Sequence, residues 1–223
     1  MKMTQVFFTK CLLGILLFFA VPSISKAQQN QEAKKASKLS NAIKETNFSK
    51  IEIDASEKAV FKSGTGEYVE FYPIAFTNLK TGEYAQGLKI VTQYDLEGMG
   101  ATLLGGLGGD KGGSKSWTET AYLDINEVEQ LIEFFDKYVL PNTDSDLERK
   151  NYVTYKFKSE EVVINLKVER DGNKTVEIFE VLFANRPYLD RYFWTKSQVK
   201  NTAQVVKTLK YITAKAKTKG GTE

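Results

Sequence analysis

Eight of the chain's sixteen glycines lie between Glu97 and Lys115, in the stretch EGMGATLLGGLGGDKGGSK. Backbone this rich in glycine can cradle a phosphate, so spacing decides. A phosphate loop needs a Gly, four residues, then Gly-Lys-Ser/Thr; in GGDKGGSK no Lys stands between a Gly and a hydroxyl. The dinucleotide pattern Gly-x-Gly-x-x-Gly is missing too, and no helical periodicity follows. The stretch fits a lid or an adaptable contact loop instead. Leu103, Leu104 and Leu107 are apolar side chains on a backbone with little conformational preference, able to settle on a ligand or partner at an entropic cost. The plain structural alternative is a loose hairpin tip with its leucines folded onto the sheet.

Carboxylates offer a second chemistry. A glycan hydrolase needs only two acids about 5 to 9 Å apart, but Asp54, Asp95, Glu119 and Asp190 are scattered with nothing in the sequence to pair them. A serine–lysine mechanism is equally without support. The chain has no His, and its one Cys, Cys11, lies in the N-terminal leader described below. Imidazole triads, thiol nucleophiles, disulfides and Cys/His zinc sites are excluded from the rest of the chain. The expectation is a protein that is not an enzyme and takes no cofactor or metal. Calcium is the nearest metal candidate, because Asn142, Asp144, Asp146 and Glu148 alternate as the first ligands of a calcium loop do. Such a loop needs Gly at its sixth position and Glu at its twelfth; here those are Leu147 and Val153.

The third stretch is NRPYLDRYFWTK. Arg186, Tyr188, Arg191, Tyr192 and Trp194 are residue types that dominate interface hot spots. On a strand Tyr188, Tyr192 and Trp194 share one face, and Leu189, Arg191 and Phe193 the other. One face belongs in the core; the other suits proteins, sugars or flat ligands through stacking. Trp117, in SWTETAYLD, occupies a similar aromatic segment.

These residues need elements to hold them. Residues 1–27 read as a secretory leader: Lys2 and Lys10, an apolar run from Leu12 to Val21, then Ser25-Lys26-Ala27 at a cleavage site. The run is shorter than the ~20 residues that span a bilayer, and no later segment is long enough either. The expectation is an exported protein, periplasmic or secreted, with no membrane span after cleavage. Loss of Lys2, Lys10 and Lys26 leaves 28 basic against 28 acidic residues, so no general pull toward nucleic acid is expected.

Residues 28–48 are polar, with Ala33, Ala36, Leu39 and Ile43 at helical spacing, and read as a weak amphipathic helix or a disordered arm. From Ile51 the pattern is strand-like. YVEFYPIAF and GLKIVTQY flank a turn at Thr81-Gly82; EVVINLKV and TVEIFEVLF flank one at Asp171-Gly172. Pro73 inside its strand implies an edge position or a bulge. Two helices stand out. One follows the capping box Asp124-Ile125-Asn126-Glu127, with Val128, Leu131, Ile132, Phe135 and Tyr138 on one face; the other follows Thr195-Lys196-Ser197-Gln198, with Val199, Ala203, Val206 and Leu209.

Each half therefore reads strand, Gly turn, strand, aromatic strand, capped helix, with Gly82 opposite Gly172. The first half is longer by the length of residues 97–115. The expected fold is α+β: a largely antiparallel sheet of seven to nine strands with both capped helices on one face, built as two β-β-β-α pseudo-repeats. The halves are 49–140 and 152–215, joined by a linker at 141–151 and followed by a disordered tail at 216–223. YVEFYPIAF is apolar on both faces and should be covered by the glycine-rich stretch or a partner. The expected function is a non-enzymatic binding module for an unknown protein or glycan. Its contact surface combines Leu103, Leu104 and Leu107 with Trp117, Arg186, Tyr188, Tyr192 and Trp194. The alternatives are a carrier of a small apolar ligand with residues 97–115 as its lid, and a carboxylate-dependent glycan hydrolase.

Overall fold

The computed structural model describes residues 36–63, 67–95, 116–144, 146–184 and 192–220, all within one compact unit, Lys34–Glu223. A helix α1 (Lys38–Glu45) leads into strands β1 (Ser49–Ile53), β2 (Ala59–Lys62), β3 (Tyr68–Asn78), β4 (Tyr84–Asp95) and β5 (Ser116–Asp124). Helix α2 (Ile125–Phe134) follows, extended by a π turn over Phe135–Val139. Then come β6 (Tyr152–Lys158), β7 (Val162–Asp171), β8 (Lys174–Phe183), β9 (Phe193–Thr195) and, after a 3-10 turn at Val199–Asn201, α3 (Thr202–Gly220).

The class is α+β and every strand pair is antiparallel, but the strands form two sheets where one was expected. The first has the order β1-β3-β4-β5, with β2 also on β3; the second runs β6-β7-β8-β9. The physical reason is burial. The chain leaves the first sheet at Asp124 into α2, and β6 starts a new sheet whose apolar face closes over the helices. Val162, Ile164, Leu166 and Val168 of β7 alternate inward as their period-two spacing requires. They share one core with Phe71, Ile90 and Leu123 of the first sheet, Val128 and Leu131 of α2, and Val205 and Leu209 of α3. Phe61 of β2 stacks on Phe179 of β8 at 5.0 Å between ring centroids. One nine-stranded sheet would leave half of this apolar surface wet.

The turns fall where glycine permits them. Gly82 (φ 76°) closes the β3–β4 hairpin and Gly172 (φ 63°) opens the two-residue β7–β8 turn, both in the left-handed region. Pro73 lies in an interior strand, contrary to the edge or bulge expected. β1 pairs with β3 from Ile74 onward and β2 up to Phe71, so one side of β3 is vacated beside Pro73. Its carbonyl accepts from Asp54 N on that side, so the N–H that proline lacks would have pointed into the same gap.

The second helix cap differs from expectation. Thr195 is a strand residue opposite Phe179, and α3 begins at Thr202. Gln198, expected to complete the box, instead accepts from Lys62 N at 2.7 Å, which pins the chain before α3 to β2. α3 runs to Gly220, past the boundary read from its periodicity.

On the outer face of YVEFYPIAF, Ile74 and Phe76 are covered by α1; the glycine-rich stretch expected there lies outside the described residues. Leu39 packs on Ile74 and Phe76 in a small second cluster that Ala42, Ile43, Ala85 and Tyr122 complete. An isolated eight-residue helix is marginal in water, so α1 needs its anchors. Its N-terminus has a complete set of acceptors. Ser37 N donates to Glu161 Oε1 (2.9 Å), Lys38 N to Asp124 Oδ2 (2.9 Å), Leu39 N to Asp124 Oδ1 (2.8 Å) and Ser40 N to Ser37 Oγ (3.1 Å). Two carboxylates thus sit where the helix dipole favours negative charge. Glu161 Oε2 also accepts from Tyr122 N at 3.0 Å on the free side of β5, so one side chain joins α1, the first sheet and the β6–β7 turn.

Candidate functional site

Of these anchors, Lys38 and Asp124 also line a cleft of about 580 Å³. It lies at the end of the first sheet where β4 begins and β5 finishes. Leu39 and Ala42 of α1, Tyr84 and Ala85 of β4, Ile125 of α2 and Ala216 of α3 supply apolar wall; Lys38, Glu83, Asp124, Asn126, Glu127 and Glu160 supply polar groups. The volume is in the range of small-ligand sites.

Local sequence explains how each element arrives there. Asp124 ends β5 and sits before the first turn of α2, and Glu127 Oε2 accepts from Asp124 N at 2.9 Å, the reciprocal half of a capping box. The Asp124 carboxylate, with both oxygens on α1, holds the far wall of the cleft. Burial pushes the Glu127 carboxyl above the usual value, although the backbone N–H groups of Asp124 and Glu160 pull the other way. Tyr84 turns its hydroxyl onto Gln86 Oε1 at 3.0 Å. The described lining therefore sets apolar side chains beside the carboxylates of Glu83, Asp124, Glu127 and Glu160, with Lys38 the one basic side chain among the described residues.

Of the contact residues singled out in the sequence, Tyr192 and Trp194 have described side chains, and neither lines the cleft. Leu103, Leu104 and Leu107 lie in 96–115, and Arg186 and Tyr188 in 185–191, outside the described residues. The glycine-rich stretch joins Asp95 to Ser116, opposite each other in the β4–β5 ladder and roughly 35 Å along β4 from Tyr84 at about 3.3 Å per residue. Those attachment points are at the end of the hairpin remote from the cleft. Trp117 stands opposite Tyr94 on β5, in the first sheet; its side chain is outside the description. Trp194 is on β9 in the second sheet, opposite Glu180 and 41% exposed, with Tyr192 half-buried just before it and Phe193 fully buried on the core side. Glu180 below it is buried, accepting from the Asn165 amide at 3.0 Å and pairing with Lys167 at 3.3 Å. The strands carrying Trp117 and Trp194 thus belong to different sheets.

Of the carboxylates considered for hydrolysis, Asp190 and the Asp95 side chain lie outside the described residues, and Glu119 and Asp54 differ in role. Glu119 is buried at the register of Thr92 on the inward face of β5. Asp54, beyond the end of β1, accepts from Ser56 Oγ (2.6 Å) and Tyr211 Oη (2.7 Å), and Lys215 lies 3.9 Å away. The Ser56 hydroxyl above all, then Tyr211, hold its carboxyl below the usual carboxylate value against a smaller opposing effect of burial. A depressed acid lends stability above its unfolded pKa of about 4, and that contribution is lost as pH falls through the folded value. Urea unfolding of Asp54→Asn should therefore lose less stability between neutral and acid pH than the parent chain; an equal or steeper loss would contradict the assignment. In the 141–151 segment, the Asn142 amide donates to Tyr138 O and Asp146 Oδ1 accepts from Glu148 N. Among the described residues no group of three or more His, Cys, Asp or Glu is placed to hold a metal ion, and no helix is long and apolar enough to cross a membrane.

Sequence reasoning reached Asp124 and Glu127 as a helix cap and Leu39 as an apolar helix position, but not the cleft they share. No local signal reports it, because Asp124 and Leu39 are 85 residues apart. Compared with known proteins, the chain matches no family model and no curated protein sequence.

Proposed function

We propose that this protein is an exported, non-enzymatic binding module that carries a small amphipathic ligand in the cleft beneath α1. The observation that carries the reading is the cleft of about 580 Å³, lined by apolar side chains together with Glu83, Glu127 and Glu160. Such a lining suits an aliphatic or aromatic body ending in an ammonium group, the body replacing water against the apolar side chains and the cation meeting the carboxylates. Export rests on the leader pattern of residues 1–27. The recurrence of strand, Gly turn, strand, strand and helix around Gly82 and Gly172 supports reading the two halves as a duplication, with residues 97–115 an insertion in the first.

The test uses octylamine and octanoate as probes of the same chain length and opposite charge. Octylamine should raise the melting temperature in proportion to its occupancy, octanoate should not, and Ala216→Trp, which fills one wall, should abolish the shift. No stabilisation by octylamine, or a shift that survives Ala216→Trp unchanged, would remove the reading.

A second reading has its own observation. Trp194 is an exposed indole above a buried carboxylate on a sheet edge, a surface that suits a macromolecular partner. Recovery of the same partners from native envelope by the parent chain and by Trp194→Ala would speak against it.

A further inference from the structure

β1 is an edge strand of the first sheet, and its backbone divides cleanly into two sides. Leu79 N donates to Phe48 O (2.9 Å) and Asp54 N to Pro73 O (3.0 Å), so residues 48, 50, 52 and 54 turn their polar groups toward β3. By the alternation of an antiparallel ladder, Ser49, Ile51 and Ile53 turn their N–H and C=O groups outward, where no described strand receives them. The side chains are also open: Ile51 is 45% and Ile53 44% exposed, while Lys50 and Glu52 form an exposed ion pair at 3.1 Å. Native edges are usually blunted by a bulge, a proline or an inward-pointing charge. This one keeps an unbroken register with β3, has no proline, and carries two isoleucines and one charge of each sign.

We infer that β1 pairs antiparallel with β1 of a second copy of this chain, about a two-fold axis through Ile51. The segment Ser49-Lys50-Ile51-Glu52-Ile53 is complementary to its own reverse. In this register Ile51 meets the partner's Ile51, Lys50 meets the partner's Glu52, Glu52 meets the partner's Lys50, and Ser49 meets the partner's Ile53. The three outward residues of each copy occupy the hydrogen-bonded positions of the new ladder, so every outward N–H finds a carbonyl. The alternatives are selected against. A slip of two residues sets Lys50 against the partner's Lys50 or Glu52 against the partner's Glu52, and a slip of one sets isoleucine against a charge. The interface is isologous and closes at two copies, as point-group symmetry requires. The two first sheets then run on as one.

Sedimentation of the purified chain at low salt, across the micromolar range, tests this with two charge variants. The parent chain should sediment as a dimer. Lys50→Glu and Glu52→Lys each place like charges across the two-fold and should weaken self-association about tenfold. An equimolar mixture of the two variants restores opposite charges at both positions and should recover the dimer. Both substitutions are at exposed side chains, and unchanged thermal melts by circular dichroism identify folded material. A monomeric parent chain, single variants that dimerise as tightly as the parent, or a mixture that stays monomeric would each overturn the inference.

Discussion

Phe179→Ala is expected to lower the unfolding free energy by about 3–5 kcal/mol, which for a domain of this size is a fall in melting temperature of roughly 10 °C. The ring is fully buried, stacked on Phe61 at 5.0 Å and 6.2 Å from Phe135, so it touches the first sheet and the helical layer at once. Removing it leaves a cavity bounded by three elements that cannot all collapse inward. Phe61→Ala should cost a similar amount, and the double variant less than the sum by about 0.5–1.5 kcal/mol, the coupling of a stacked pair. The melt should stay a single transition. Two transitions, with one sheet outlasting the other, would contradict the shared core.

Gly87→Ala is expected to cost about 3 kcal/mol, a large effect for a single methyl group. A Cβ at Gly87 would stand 2.1 Å from Leu123 O and 3.0 Å from Leu39 Cδ2. The second contact is with the end of a side chain and can yield; the first is with backbone in the neighbouring strand and cannot. Leu39→Ala in the same chain should therefore fail to restore stability. Because Gly87 pairs with Asp124, any shift there moves the carboxylate that holds the N-terminus of α1. Trypsin cleavage at Lys44 should accelerate in Gly87→Ala relative to the parent. Parent-like stability with an unchanged cleavage rate would show that the strands have more room than the contact distances allow.

Local signals in the sequence were enough for the elements that depend on near neighbours. The alternation of EVVINLKV specified which side of β7 is inward, and Asp124 with Glu127 marked the start of α2. Gly82 and Gly172 placed both hairpins. The excluded chemistries followed from composition alone, since a chain without histidine and with a single cysteine cannot assemble an imidazole triad or a multi-thiolate zinc site. Each of these rests on spacing within about one turn of helix or one hairpin, where the chain's own geometry transmits the signal.

The tertiary structure decided what joins distant segments. It divided the strands into two sheets, set Pro73 beside a gap in an interior strand, and laid α1 over Ile74 and Phe76. It also turned a helix-capping aspartate into the anchor of a different helix. Glu161 reaches Ser37 across 124 residues and Asp124 reaches Leu39 across 85. Such contacts leave no periodic trace, because a carboxylate that caps a remote helix has the same sequence neighbours as one that faces water. The cleft is lined by α1, β4, α2 and α3, elements remote from one another in sequence, and for that physical reason it becomes visible only once the chain is folded.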